Sequence, residues 1–138
     1  MELKQTLIDV FSSYPFSNLI TIDASGLPKG RMMENMSLGD DLVCWFATGA
    51  QSAKVAEIQA NARAAVYLYR PEDHCSICFQ GTAEVVVDDA VRAEKWNPRW
   101  EQFWKAGPSD PNFALIRVTP AKVTYVDWPQ HKTETLEL

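Results

Sequence analysis

Residues 19–33, LITIDASGLPKGRMM, contain two apolar runs separated by a segment rich in turn-forming residues. We predict a strand over 18–23, a turn over 24–28, which holds Gly26 and Pro28, and a returning strand over 29–37. Two strands joined by so short a turn pair side by side in opposite directions. This hairpin therefore indicates an antiparallel β protein.

The rest of the chain repeats this pattern of short apolar runs and turns. Further strands are predicted at 42–47, 63–69, 75–87, 113–119 and 122–127, and helices at 2–11, 51–60 and 88–104, the last interrupted at 97–98. Gly81 lies inside a long strand, where glycine often marks the bend that a barrel needs to close. The sequence predicts a mainly β, single-domain barrel over 1–138 with peripheral helices. The polar end, 130–138, is predicted to be frayed.

Composition excludes several classes of function. The chain has 138 residues and a formal net charge of −5, without a polybasic run, so we expect no nucleic-acid partner. No apolar stretch is long enough to span a membrane. An odd number of cysteines, three, argues against a disulfide framework, and no signal-peptide pattern opens the chain. We expect a cytoplasmic protein.

Ser52 and Lys54 stand at the start of the predicted helix 51–60, just after a strand. One interpretation is that Ser52 caps the helix while Lys54 lies in solvent. The other is an anion site, because the N–H groups and the dipole of a helix N-terminus favour negative charge. Arg31, on a separate strand, is hard to explain as a core residue, because a buried guanidinium needs an anionic partner.

Four stretches of the chain resemble, in their order and spacing, the pyridoxamine 5′-phosphate oxidase-like, FMN-binding split-barrel superfamily, and within it the general stress protein 26 branch. They are LITIDASGLPKGRMM, WFATGAQSAKVAEIQANARAAVYL, FQGTAEVV and WNPRWEQFWKAGPSDPNFALIRVTPAKVTYVDW. The resemblance covers about residues 16–128. It implies a split β-barrel of six or seven antiparallel strands. It also implies a homodimer that holds FMN, with FAD as the alternative cofactor, at the subunit interface.

The match to the family's flavin site is incomplete. Arg31 matches an arginine that touches the flavin and its phosphate, but Met36 stands where a lysine would follow. Thr48 and residues 52–54 match the phosphate clamp, with Ala replacing its arginine. Ser76 stands where the oxidases have a glutamine, and no counterpart of their pyridoxal phosphate ligands is found. The resemblance therefore implies a partly kept flavin cradle with a substrate other than pyridoxamine phosphate.

Strand alternation places Arg31, Met33 and Asn35 on one face and Met32 on the other. The full set of predicted cofactor-binding residues is Arg31, Met32, Met33, Asn35, Ala47, Thr48, Ser52, Lys54 and Ser76. We expect a flavin-dependent oxidoreductase that takes electrons from a nicotinamide or another small reductant, with no catalytic acid or base assigned. The alternatives are a non-catalytic flavin carrier or sensor, and a barrel that binds another planar ligand such as haem or a deazaflavin.

Two further motifs have simple structural interpretations. Trp96, Trp100 and Trp104 recur at helical spacing, so they either pack on the barrel as one stripe or cover the flavin ring of a partner subunit. The segment 74–78, HCSIC, has the spacing of a metal motif, but a strand directs the two sulfurs to opposite faces. We predict structural cysteines and no metal site.

Overall fold

The computed structural model of the chain describes residues 2–138. The strands are β1 (Phe16–Ile22), β2 (Pro28–Glu34), β3 (Cys44–Gly49), β4 (Arg63–Arg70), β5 (Cys75–Val86), β6 (Phe113–Asp127) and β7 (Lys132–Glu137). The helices are α1 (Leu3–Ser12), α2 (Ala53–Ala60) and α3 (Asp89–Lys95), followed by two 3₁₀ helices, Pro98–Gln102 and Gly107–Ser109. No helix in this range is long and apolar enough to cross a membrane.

All the strands pair antiparallel in one sheet with the order β2-β1-β4-β5-β6-β3, and β7 is added to β6. The path starts at β2 and ends at β3, and the backbones of these two strands approach within 8 Å. The sheet thus curls into a barrel that is split between β2 and β3. The predicted antiparallel barrel with peripheral helices is confirmed.

Alternating burial along the strands builds the core. In β3 the side chains of Cys44, Phe46 and Thr48 are buried, while Trp45 and Ala47 between them are half-buried. This period of two is what a strand with one face toward a core produces. The interior combines such residues from six strands with an apolar face of α1. The core is thus enclosed by the sheet and covered in part by α1.

The final strand corrects the prediction of a frayed tail at 130–138. Lys132–Glu137 forms β7 and pairs with Lys122–Asp127 of β6, and Leu136 packs against the core. The polar composition of this segment is that of an edge strand, with most side chains in solvent. The strand that it pairs with is the second half of β6, whose other edge is available for pairing. The composition of residues 130–138 alone does not show that such a partner exists.

Residues 113–119 and 122–127, predicted as two strands joined at Pro120, form the single strand β6. The β5–β6 register shifts between Gln80 and Gly81, so Gly81 pairs with Pro120 while Gln80 pairs with Lys122. Proline is tolerated in a sheet at such an irregularity, because its missing N–H is not needed there. The bend predicted at Gly81 is confirmed.

The segment 88–104 is interrupted as predicted at 97–98. Asp88 caps α3 by accepting a hydrogen bond from the N–H of Val91, and α3 ends at Lys95. Asn97 then caps the 3₁₀ helix through the N–H of Arg99. The three tryptophans therefore do not lie on one helix.

Replacing Gly81 by alanine should destabilise the fold. A Cβ there would collide with the carbonyl oxygen of Thr119 and lie 2.8 Å from the Cα of Pro120, both backbone atoms. We expect G81A to lower the free energy of unfolding by about 1–3 kcal/mol, the usual range for overpacking. Urea unfolding measures this. Gly39, whose added Cβ would meet only a side-chain atom at 3.5 Å, is the control, and equal losses in G39A and G81A would contradict the prediction.

Candidate functional site

The start of α2 lacks a side-chain cap. Ser52 occupies the N-cap position, but its hydroxyl lies 3.2 Å from the hydroxyl of Thr48 and bonds to no backbone N–H of the helix. Within residues 2–138 no hydrogen-bond acceptor meets the N–H groups of Ala53 and Lys54. Such unpaired donors attract anions. Ser52 thus stands at the N-cap position, but its side chain makes no capping hydrogen bond.

Lys54 turns toward the same point. Its ammonium donates a hydrogen bond of 2.9 Å to Thr48 Oγ1 and has no carboxylate within salt-bridge distance in the part of the chain that the structure describes. Burial lowers the pKa of Lys54, the positive charge of Arg31 lowers it further, and Glu57 acts in the opposite direction. Thr48, Ser52, Lys54 and the free N–H groups of α2, which we call the cradle, fit a phosphate group.

Arg31 finds an anionic partner inside the chain. From β2, its Nη2 donates to Glu57 Oε1 at 2.8 Å, and its Nη1 donates to Thr21 Oγ1 at 2.8 Å and to the carbonyl of Leu19 at 3.2 Å. The side chain is only 19% exposed. The structure therefore brings Arg31 close enough for its charge to lower the pKa of Lys54, but its guanidinium is bound to a carboxylate.

Glu57 is a site residue that the sequence analysis missed. It lies three residues after Lys54 on α2, and its side chain is 11% exposed. The hydroxyl of Thr21 donates to Oε1 at 2.8 Å, and this bond, followed by the charges of Lys29 and Arg31, lowers the pKa of the carboxyl against the opposing effect of burial. Helical spacing from Lys54 is the signal that could have found it, because residues three apart share a helix face.

Four of the other predicted residues do not join the cradle. Met33 is buried in the barrel core, while Met32 points outward and is 64% exposed. The amide of Asn35 donates to the carbonyl of Tyr14 and accepts from Ser17, so it is already satisfied. Ser76 is buried on β5, which is separated from β2 by the two strands β1 and β4.

Ala47 lines a cavity of about 280 Å³ beside the split. The cavity, which we call the aromatic groove, is lined by Glu34, Ala47, Arg99, Trp100, Gln102, Phe103 and Trp104. A second cavity of about 360 Å³ shares Glu34, Arg99 and Trp100 with it. Arg99 donates to Glu34 across this region at 3.0 Å. The groove thus combines flat apolar surfaces with one ion pair.

The three tryptophans form one wall of this region. Their ring centroids lie 5.1, 5.8 and 5.0 Å from that of Phe113 for Trp96, Trp100 and Trp104, respectively. Phe113 and Leu115 of β6 complete the cluster, so the aromatic segment packs on the outside of the barrel. The predicted packing on the barrel is confirmed, although the stripe is formed by an irregular segment.

The histidine and cysteine residues stay outside the cradle and the groove. Cys75 is buried in the core with its sulfur 3.1 Å from the hydroxyl of Tyr125, whereas Cys78 is only partly buried. His74 contacts the hydroxyl of Tyr69 at 2.6 Å. Among residues 2–138 there is no group of three His, Cys, Asp or Glu side chains that could hold a metal ion.

The protein is a split antiparallel β-barrel with hydrogen-bond donors for a phosphate group at the start of α2. Comparison with known proteins gives its family. Residues 2–136 match the family model described as pyridoxamine 5′-phosphate oxidase like. The chain belongs to the pyridoxamine 5′-phosphate oxidase-like family. A comparison with curated proteins gave no match.

Solved structures agree with this assignment. General stress protein 26 from Bacillus anthracis str. Sterne is 28% identical over 100% of both chains, with a TM-score of 0.79. A protein related to general stress protein 26 from Clostridium acetobutylicum is 18% identical over 98% of this chain and 94% of that chain, with a TM-score of 0.85. A pyridoxamine 5′-phosphate oxidase-related, FMN binding protein from Nostoc punctiforme PCC 73102 is 18% identical over 98% and 90%, with a TM-score of 0.71. The last two likenesses show the fold alone.

Replacing Glu57 by glutamine should change how stability depends on pH. The folded state lowers the pKa of Glu57, so the stability that the ionised carboxylate contributes is complete above the unfolded pKa, about 4.3. That contribution is lost as pH falls through the lower, folded pKa. We expect E57Q to be less stable than the natural protein by about 1–3 kcal/mol at neutral pH.

This difference in stability should shrink as pH falls from neutral through the lowered, folded pKa of Glu57. Urea unfolding across this pH range measures it, and Glu84→Gln is the control, because Glu84 pairs with Arg117 in a half-exposed position. A difference between E57Q and the natural protein that does not depend on pH would contradict the assignment of this network.

Proposed function

We propose that this chain is a flavin-binding protein that uses FMN, with FAD as the alternative, and acts as a flavin-dependent oxidoreductase. The observation that carries the proposal is the uncapped start of α2, where two hydroxyls, an ammonium and free N–H groups meet. The family supports it, and one protein of similar fold is described as FMN binding. The physiological substrate is then something other than pyridoxamine phosphate, because the chain has no counterpart of the residues with which the oxidases bind pyridoxal phosphate.

The residues of the chain have distinct roles in this proposal. Lys54 supplies a charge to the flavin phosphate, and Ser52, Thr48 and the first N–H groups of α2 supply hydrogen bonds. The aromatic groove, which begins at Ala47 next to Thr48, offers flat apolar walls for a ring system and excludes water from them. A bound flavin supplies the hydride chemistry, while the protein binds and orients the cofactor. A nicotinamide or another small reductant would provide the electrons.

A second candidate function is a flavin carrier or sensor that does not turn over. The observation that favours it is the Arg31–Glu57 pair, which engages a cation that the oxidases use for the cofactor. An anaerobic assay separates the two functions. Reduction of the bound flavin by NADPH or NADH, followed by rapid reoxidation by an acceptor, supports the oxidoreductase. A bound flavin that neither NADPH nor NADH reduces supports the carrier or sensor.

Replacing Lys54 by alanine should weaken flavin binding. The purified natural protein, mixed with FMN and freed of excess, should show the absorption spectrum of a bound flavin. In K54A the dissociation constant should rise at least about tenfold, because a charged hydrogen bond to phosphate contributes about 1.5–3 kcal/mol. Lys4→Ala, on α1, is the control. A colourless natural protein that binds neither FMN nor FAD would refute the proposal, and equal affinity in K54A would refute the cradle.

A homodimer with the flavin between subunits belongs to this proposal. Met32 of β2, Asn18 of β1 and Tyr67 of β4 are in register, so their side chains form a row on the outer face of the sheet. Met32 and Tyr67 are exposed, and Asn18 Oδ1 is buried with no hydrogen-bond donor within residues 2–138. A second copy of the chain would cover the apolar side chains and offer a donor to Asn18.

Replacing Met32 by glutamate should shift the protein toward the monomer. A charge placed in an apolar interface between two copies of the chain meets its own counterpart or is desolvated, and either effect opposes association. Sedimentation velocity measures the change in the dissociation constant of the dimer. The control is Leu27→Glu, an equally exposed apolar residue in the β1–β2 turn. A natural protein that is monomeric at high concentration would refute the dimer, and a dimer unaffected by M32E would refute this interface.

A further inference from the structure

We propose that Glu57 determines which phosphate group the cradle accepts, and that it shifts the preference of the protein away from the dianionic phosphate of FMN toward the singly charged phosphates of FAD. This inference rests on the proposed flavin function. It concerns a residue to which the resemblance assigns no ligand role. Its basis is a closed network of hydrogen bonds and charges beside the cradle.

The network already supplies Arg31 with an anion. Glu57 Oε1 accepts from Arg31 Nη2 and from the hydroxyl of Thr21, both at 2.8 Å, and that hydroxyl accepts from Arg31 Nη1. Lys29 Nζ lies 3.7 Å from the other carboxylate oxygen. Each partner thus holds the other two in place. A phosphate that binds this edge of Arg31 must displace the carboxylate of Glu57, whose side chain is only 11% exposed.

Glu57 also limits the positive charge near the cradle. Three cations, Lys29, Arg31 and Lys54, and the single carboxylate of Glu57 leave a formal net charge of +2. Neutralising Glu57 would raise it to +3. Because Glu57 follows Lys54 by three residues on one helix face, its charge acts on any anion that Lys54 binds. The carboxylate therefore penalises each additional negative charge on the ligand.

The two flavin cofactors differ in the charge they would place there. The phosphate of FMN is a monoester that carries nearly two negative charges above neutral pH. In FAD each phosphate is esterified within a diphosphate and carries one. Riboflavin carries none. The repulsion from Glu57 is thus greatest for FMN, smaller for FAD and absent for riboflavin, while the ring interactions are common to all three.

The experiment measures the dissociation constants of FMN, FAD and riboflavin by flavin fluorescence for the natural protein and for Glu57→Gln at about pH 8, where the FMN phosphate is dianionic. Glutamine keeps one oxygen that can accept from Thr21 and Arg31, removes the charge, and replaces the oxygen that faces Lys29 by an amide NH2 group. We expect E57Q to lower the dissociation constant of FMN about tenfold or more. The dissociation constant of FAD should fall clearly less, and that of riboflavin should not change. Glu84→Gln removes a carboxylate remote from the cradle and should change none of the three.

A second variant protects the test against misfolding of E57Q. Lys29 is 52% exposed, so Lys29→Gln should fold normally. It removes a positive charge that partly neutralises Glu57. Lys29→Gln should therefore raise the dissociation constant of FMN more than that of FAD, which is the opposite of the change expected in E57Q. Equal changes for FMN and FAD in both variants, or no change in either, would overturn the inference.

The outcomes also separate this inference from the proposed function. If the natural protein binds flavins and E57Q leaves the FMN-to-FAD ratio unchanged, the function stands and the role of Glu57 is refuted. If E57Q binds FMN while the natural protein binds neither FMN nor FAD, the role of Glu57 stands and the proposed flavin function of the natural protein is refuted. If neither protein binds any flavin, both are refuted.

Discussion

The close passage of Gly81 along the backbone of Thr119 and Pro120 shapes the whole barrel. Because Gly81 has no Cβ, β5 and β6 remain paired through the point where their register shifts. The first part of β6 can then pair with β3 and the second part with β7. This arrangement carries β3 around to face β2. The split between those two strands, and the site beside it, follow from that curvature.

The site carries its own counter-anion. The carboxylate of Glu57 pairs with Arg31 and Lys29 but not with Lys54, whose ammonium lies beside the uncapped start of α2. Lys54 and the free N–H groups remain for an external anion. A ligand is therefore met by a partly neutralised environment, in which its charge as well as its shape affects binding.

The aromatic segment after α3 forms an apolar groove beside Ala47. Three tryptophans packed around Phe113 form a wall beside Ala47, and the Arg99–Glu34 pair lies across the opening. Membership of the pyridoxamine 5′-phosphate oxidase-like family explains the barrel. Family membership does not by itself assign a role to the wall or to the ion pair, since function depends on sites carried by a fold rather than on the fold itself.

The sequence by itself determined the features that depend on neighbouring residues. Local spacing and turn chemistry account for the β1–β2 hairpin, the bend at Gly81 and the interruption at 97–98. They also account for the position of Ser52 and Lys54 at the start of a helix. Only the tertiary structure decided that residues 132–137 form a strand, that Arg31 bonds to Glu57, and that Glu34 meets Arg99. These contacts join residues far apart in the chain. Their partners are chosen by the closing of the barrel, which brings together groups that no local pattern relates.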